Sequence, residues 1–231
     1  MTLAAIAERY RAVVERAAQA AIRAGRRPAD VTVVVAAKTF DVEAVRAAAT
    51  AGAEHVGENY VQEAREKARR LAELPIRWHM IGRLQRNKAK QAVALFDLVH
   101  SLDSIELARA LDRAAAEASK IASCLVEVNV GAERTKAGVA SDALETLLEH
   151  AAALPNLRIR GLMTIPPPGT ASAARASFAR LRALRDRHDD LRLPNVQLKE
   201  LSMGMSSDFE QAIAEGATLV RVGTAIFGPR K

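Results

Sequence analysis

A chain of 231 residues, 49% hydrophobic and 26% charged, has enough apolar material for one large core, and barrels of roughly 200–250 residues commonly fold as one domain, here taken as residues 1–231. Aromatics, at 3%, leave little for base-stacking platforms, and the single cysteine, Cys124, excludes an internal disulfide and fits a reducing compartment. A net charge of +7 admits anionic partners, but Glu63, Glu66 and Glu73 interleave the arginine-rich stretches, which argues for solvated helix faces over a nucleic-acid groove.

The first element is a helix. Leu3, Ile6, Tyr10, Val13, Val14, Ala17, Ala21 and Ile22 recur at helical spacing, and Gly25 followed by Pro28 stops the pattern. The segment is arginine-rich and amphipathic, as organellar transit peptides are, but Glu8 and Glu15 argue against one, so it is read as a packing helix of the mature protein. No apolar run approaches the ~20 residues needed to span a bilayer. The expected location is the cytoplasm, with no membrane partner.

A repeated rhythm follows: a short β-branched run, a loop, then an Ala-rich helical stretch. Strands are predicted at 31–37, 53–58, 76–82, 98–103, 122–130, 157–165, 196–204 and 218–228, with helical stretches at 41–52, 60–74, 84–95, 104–120, 141–154, 171–188 and 206–216 between them. Parallel strands need crossovers of about a dozen residues, so this alternation implies a parallel sheet. The fold class is therefore α/β, a single closed (β/α)8 TIM barrel with an extra N-terminal helix. An open doubly wound sheet is the alternative, and no G-x-G-x-x-G follows the first strand to support it.

Active sites of such barrels lie at the C-terminal ends of the strands, and the unusual residues fall there. In chain order they are Lys38, Gly57 to Tyr60, His79 and Gly82, His100, Ser101 and Asp103, Asn129 with Lys136, Met163, residues 201–206, and Arg221 to Thr224. LSMGMSSDFE (201–210) places Ser and Gly in a strand-to-helix turn, and RVGTAIFG (221–228) does likewise; both suit phosphate binding after the last two strands, although Ser-Ser-Asp is also an ordinary helix cap. A lysine at the end of strand one, a phosphate cradle and an arginine just before Gly223 suggest a carbonyl ligand that carries phosphate. Pyridoxal 5′-phosphate (PLP) fits, with the Lys38 amine condensing on its aldehyde.

The stretches AAKT (36–39), VGENYVQE (56–63), WHMIGRLQRNK (78–88), HSLDS (100–104), VEVNVGAERTKAG (126–138), GLMTIP (161–166), LSMGMSSDFEQAIAEGAT (201–218) and VRVGTAIFG (220–228) occur in an order that resembles the pyridoxal phosphate homeostasis proteins, relatives of the alanine racemase barrel domain, along nearly the whole chain. That resemblance implies that Lys38 is the Schiff-base lysine and that Asn59 lies beside the cofactor. It also implies that Ser202, Gly223 and Thr224 hold the phosphate, that Arg221 faces the pyridine nitrogen and that His79 lines the pocket. Departures are Ala37, where the family often has Ser, and Arg83 and Arg86, which enrich the loop after strand three.

The resemblance further implies a PLP-binding protein of vitamin B6 and amino-acid homeostasis, not an enzyme, with little or no turnover; a monomer is expected, with PLP-dependent apoenzymes as recipients, though no residue pattern fixes the oligomeric state. The residues agree, because an electron-sink ring wants an acidic partner at the pyridine nitrogen, and an always-charged Arg221 disfavours that proton. Racemisation also needs a second proton-transfer group, supplied in alanine racemase by an additional C-terminal domain that is not expected here, since the sequence ends at Lys231 just after the last strand. Tyr60 or His79 would have to substitute. Two alternatives stay open: a slow PLP-dependent amino-acid racemase or other Schiff-base enzyme, and a barrel that binds a protein or nucleic-acid partner through GRLQRNKAK (82–90). Lys136 and Lys199 are the other candidate anchors. His55, His100, His150 and His188 are read singly as ordinary surface or hydrogen-bonded histidines with no metal-site spacing, and Cys124 as a buried small hydrophobe.

Overall fold

A computed structural model of the chain describes residues 2–131 and 137–229, so Lys136 lies outside the described residues. Helix α1 (Leu3–Arg23) starts where the Thr2 side chain accepts from the Ala5 N–H, and buries Ile6, Tyr10, Val13, Ala17, Ala20 and Ala21. Leu3, Val14 and Ile22, assigned by spacing to the apolar face, are exposed, because the buried stripe is narrow and they sit at its end or on its flank.

Strands and helices then alternate: β1 (Thr32–Ala36), α2 (Val42–Thr50), β2 (His55–Glu58), α3 (Val61–Arg70), β3 (Arg77–Met80), α4 (Ala89–Leu95), β4 (Leu98–Leu102), α5 (Ile105–Glu117) and β5 (Ala122–Asn129). After the two-residue strand β6 (Val139–Ala140) come α6 (Leu144–Ala152), β7 (Leu157–Met163), α7 (Ala171–Asp189), β8 (Val196–Ser202), α8 (Phe209–Ala214), β9 (Leu219–Val222) and α9 (Thr224–Phe227). The parallel order is β4-β3-β2-β1-β9-β8-β7-β5, and β4 also pairs with β5, so eight strands close into a barrel with helices between them. Among the described residues the strand without a counterpart in the sequence reading is β6, which pairs beside the end of β5. Helix α1 packs on α2, α8 and α9 and so fills the helical layer between the last strand and the first.

Two predicted elements change character. The strand expected at 218–228 ends at Val222, and Thr224–Phe227 is helical; Ile226 and Phe227 are buried there and the Phe227 ring stacks on Phe40 at 4.4 Å, a contact that requires the chain to turn back over the barrel. The helix expected from residue 84 starts at Ala89, after a single 3-10 turn at Arg86–Lys88.

The core has two parts. The larger lies between strands and helices, while Val34, Ala36, Ile81, Leu125, Met163 and Leu219 form a separate small cluster. The two-residue strand period places five of these on the inward faces of their strands and Ile81, one residue past β3, in line with His79. The inner cluster is small because the same faces carry His79, His100, Glu127, Ser202 and Arg221, all buried. The barrel's interior is therefore partly polar, and its polar residues lead to the site.

Candidate functional site

The period that turns Val34 and Ala36 inward carries Lys38, just past the end of β1, to the C-terminal mouth. Lys38 is half-buried and is followed by Thr39 at φ +69°, a left-handed conformation uncommon for a β-branched residue, which turns the chain sharply away. Lys38 lines a cavity of about 490 Å³ with Asn59, Glu127, Ser206, Arg221, Gly223 and Thr224. Such a volume suits a small-molecule site, for which about 300–1,000 Å³ is usual. Five of the six residues expected at the cofactor, Lys38, Asn59, Arg221, Gly223 and Thr224, thus meet on one cavity.

Ser202 is the exception. Fully buried at the end of β8, its Oγ accepts from Arg221 Nη1 and lies 2.9 Å from His100 Nδ1, and it does not line the cavity. Its inward parity points it into the barrel rather than toward the loop. The hydroxyl in the loop after β8 is Ser206, which accepts from the N–H groups of Gly223 at 3.3 Å and Ala225 at 3.1 Å, so the loops after β8 and β9 meet on it. The Ser-Ser-Asp run carried that signal. His79 also differs from expectation: it is buried in the barrel, hydrogen-bonded to His55 and His100, and does not line the cavity.

Two glycines shape the walls. A Cβ on Gly82 would lie 2.7 Å from Asn59 Cα and from its carbonyl oxygen, so only glycine lets the chain leaving β3 press against Asn59. Gly204 has φ +90°, and a Cβ there would meet the Ala212 side chain at 2.5 Å, so the tight turn from β8 toward α8 also needs glycine.

Arg221 donates through Nη2 to the Thr164 carbonyl oxygen at 2.9 Å. Burial lowers its guanidinium to about 10, opposed by Glu127 and Asp208, so it remains cationic at neutral pH. Glu127, the cavity's carboxyl, escaped the sequence reading; burial pushes it up to about 7, with Arg221 opposing and Asp103 adding to the rise. Its signal was parity, since Leu125 and Glu127 share the inward face of β5. A second cavity of about 890 Å³, lined by Tyr60, Arg86, Lys88, Asp103 and Glu106, shares Asn59 and Arg83 with the first, so it adjoins it as a vestibule in which Arg83, Arg86 and Lys88 outnumber the two carboxylates.

The other sequence readings fall elsewhere. His150 and His188 each contact the carbonyl oxygen four residues back in their own helices. Cys124 is buried, and burial pushes its thiol up to about 12. Among the described residues no group of three or more His, Cys, Asp or Glu side chains could hold a metal ion, and no helix is long and apolar enough to cross a membrane.

The chain is a closed parallel barrel with a lysine at the end of its first strand, and the family described as "Alanine racemase, N-terminal domain" matches residues 1–231, which places it in the alanine racemase barrel class. A solved alanine racemase from Corynebacterium glutamicum, 18% identical, shares the fold with a TM-score of 0.69 over 99% of this chain and 62% of that one. A pyridoxal phosphate homeostasis protein of Pseudomonas aeruginosa is 45% identical over 229 residues, 99% of this chain and 97% of the relative. The solved structure of PipY from Synechococcus elongatus with PLP bound is 40% identical, with a TM-score of 0.82 over 96% of this chain and all of that one. The chain belongs to the pyridoxal phosphate homeostasis protein family.

Proposed function

We propose that this chain is a PLP-binding homeostasis protein, one barrel domain over residues 1–231, that holds the cofactor as a Schiff base on Lys38 and does little chemistry of its own. The observation that carries this reading is the convergence of Lys38, Ser206 and Arg221 on one cavity. The PLP-bound relative supports it. Loading joins the neutral amine of Lys38 to the aldehyde carbon with loss of one water. When bound, PLP supplies that aldehyde and a ring that can withdraw electrons. Asn59 flanks the ring, Ser206, Gly223 and Thr224 receive the phosphate, and Arg221 faces the pyridine nitrogen. Ser202 acts through Arg221 instead of on the phosphate.

Low turnover follows from Arg221. A buried cation that only donates hydrogen bonds opposes protonation of the pyridine nitrogen, and an unprotonated ring is a weak electron sink. The vestibule offers PLP a route to recipient apoenzymes. A monomer in the cytoplasm completes the reading, in keeping with the single buried Cys124.

One observation favours a second reading, a slow amino-acid racemase or other Schiff-base enzyme: Glu127 faces the cavity with its carboxyl near 7, where a group can both give and take a proton. The first test is absorbance of the purified protein with added PLP, then borohydride trapping and peptide mapping. A long-wavelength band with the label on Lys38 is expected. No band and no label would overturn the reading, and a label on Lys136 or Lys199 would move the anchor. Amino-acid turnover by the pure protein, lost in Lys38→Ala, would establish the second reading.

A further inference from the structure

Below the cavity a continuous chain of polar contacts crosses the barrel. Arg221 Nη1 donates to Ser202 Oγ; Ser202 Oγ lies 2.9 Å from His100 Nδ1, His100 Nε2 lies 2.8 Å from His79 Nδ1, and His79 Nε2 lies 2.9 Å from His55 Nδ1. The chain joins β9 and β8 to β4, β3 and β2, and β4 is not a neighbour of β8, so the contact between His100 and Ser202 passes through the barrel interior. His79, His100, Ser202 and Arg221 are all buried, whereas His55 is half-buried and opens on a cavity of about 260 Å³ beneath α1, lined also by Tyr10, Thr32 and Glu54.

The direction of every bond is fixed from one end. A guanidinium has donors and no acceptor, so Ser202 must accept from Arg221. The one hydroxyl proton of Ser202 then has His100 Nδ1 as its acceptor, because a buried hydroxyl does not leave its proton unpaired. With Nδ1 accepting, neutral His100 carries its proton on Nε2 and donates to His79 Nδ1. The same step repeats to His55, whose own Nε2–H remains for the cavity under α1.

We propose that His55, His79 and His100 are positioning residues, a one-way relay of neutral Nε2–H imidazoles that holds Ser202 as the acceptor for Arg221 and so fixes the guanidinium where it meets the cofactor. The role toward PLP rests on the reading that Arg221 faces the pyridine nitrogen. Reversing any one imidazole reverses all the others inward of it and leaves the Ser202 proton without an acceptor. Burial opposes protonation of all three rings; Arg77 adds to it at His55, His55 and Arg77 at His79, and His79 and Arg221 at His100, while Glu54 and Asp97 favour protonation at His55 alone. The charges around the relay thus favour its neutral form at the inner two members, where direction matters most.

Two measurements test the relay. Long-range ¹H–¹⁵N NMR of the imidazoles in the protein without added PLP should show all three as Nε2–H tautomers at neutral pH. Titration with PLP should show His100→Leu and Ser202→Ala binding more weakly, by about tenfold as when outer-shell partners are lost at metal sites, with a displaced absorbance band; His100→Asn, which restores an acceptor for Ser202, should recover most of both. An Nδ1–H or cationic His79 or His100 would overturn the relay, as would a folded His100→Leu or Ser202→Ala with wild-type affinity and band. If the wild-type protein takes no PLP on Lys38, the reading of the cavity fails, while the NMR tautomers still decide the relay.

Discussion

The Lys67 ammonium lies 2.6 Å from Oε1 of Glu58 and donates, at 2.9 Å, to the carbonyl oxygen of Ala37. The two side chains are 7% and 0% exposed. Glu58 ends β2 and Ala37 follows β1, so one ammonium on α3 ties together the strand ends from which Asn59 and Lys38 emerge.

Removing that ammonium should therefore damage stability and site together. Burial raises the Glu58 carboxyl above its ordinary value, and Lys67 opposes the rise. Lys67→Met strands a buried carboxyl, with an expected loss of about 3–5 kcal/mol in urea unfolding at neutral pH. A carboxyl raised in the fold binds more protons folded than unfolded, so the variant should lose stability as pH rises above the ordinary carboxylate value and recover in acid. Adding Glu58→Gln should return most of the loss. A Lys67→Met protein as stable as wild type at pH 7 would show that the pair holds nothing.

Glu127 gives a second pH signature. Burial moves its carboxyl from 4.5 to about 7, so the folded state keeps a proton that the unfolded chain releases in that window. The sign follows: its contribution is most favourable below 4.5 and is lost as pH rises through 7, by about 3 kcal/mol in all. Glu127→Gln carries no such penalty. Its unfolding free energy should exceed that of wild type at pH 8 by more than at pH 5, and equal differences at the two pH values would mean that Glu127 titrates normally.

Much of the site was legible because period two along a strand is a local property. Lys38 follows from where β1 ends and the closed barrel from eight alternating units, whereas Arg221 and Gly223 come from the motif, since the expected last strand runs on past them to 228. Ser202 lies off the cavity because of its parity, which points it inward at a strand end, while Ser206, four residues on, reaches the cavity. The histidines were unreadable one at a time. His55, His79 and His100 sit on three successive strands, and their bond to Ser202 joins β4 to β8 across the barrel, a distance of 102 residues that no local pattern encodes. Thr224–Phe227 looked like strand because its apolar residues suit either structure, and the stacking of Phe227 on Phe40 decided it.

The basic vestibule should act on rates. Arg83 belongs to both cavities and is 79% exposed, with Arg86 and Lys88 on the same wall of the larger one. Exposed charges steer an anionic ligand without contributing much affinity. Replacing Arg83, Arg86 and Lys88 together by alanine should slow PLP association several-fold at low ionic strength, by about the lower end of the tenfold-and-more effects seen with steering. The difference should vanish in high salt, with dissociation little changed. Stopped-flow absorbance measures both, and an unchanged association rate at low salt would remove the vestibule from the entry path.

The histidine relay should also shape the acid limb of stability. Burial, with His55 and Arg77 adding to it, holds His79 down to about 3 from 6.5, and burial with His79, Arg221 and His55 holds His100 well below its ordinary value. For a base depressed in the fold, the unfolded chain takes up protons that the folded state refuses. Stability is then fully present above 6.5 and is lost as pH falls toward 3, by about 5 kcal/mol from His79 alone. This slope is opposite to that of Glu127, so the two can be separated in one pH series of urea midpoints. His79→Gln removes one titrating ring while keeping an amide donor near the place of Nε2, and should flatten the acid limb. An unchanged acid limb in a folded His79→Gln would mean that His79 takes up its second proton at the ordinary value in the fold, so that its ring is not held neutral by the relay.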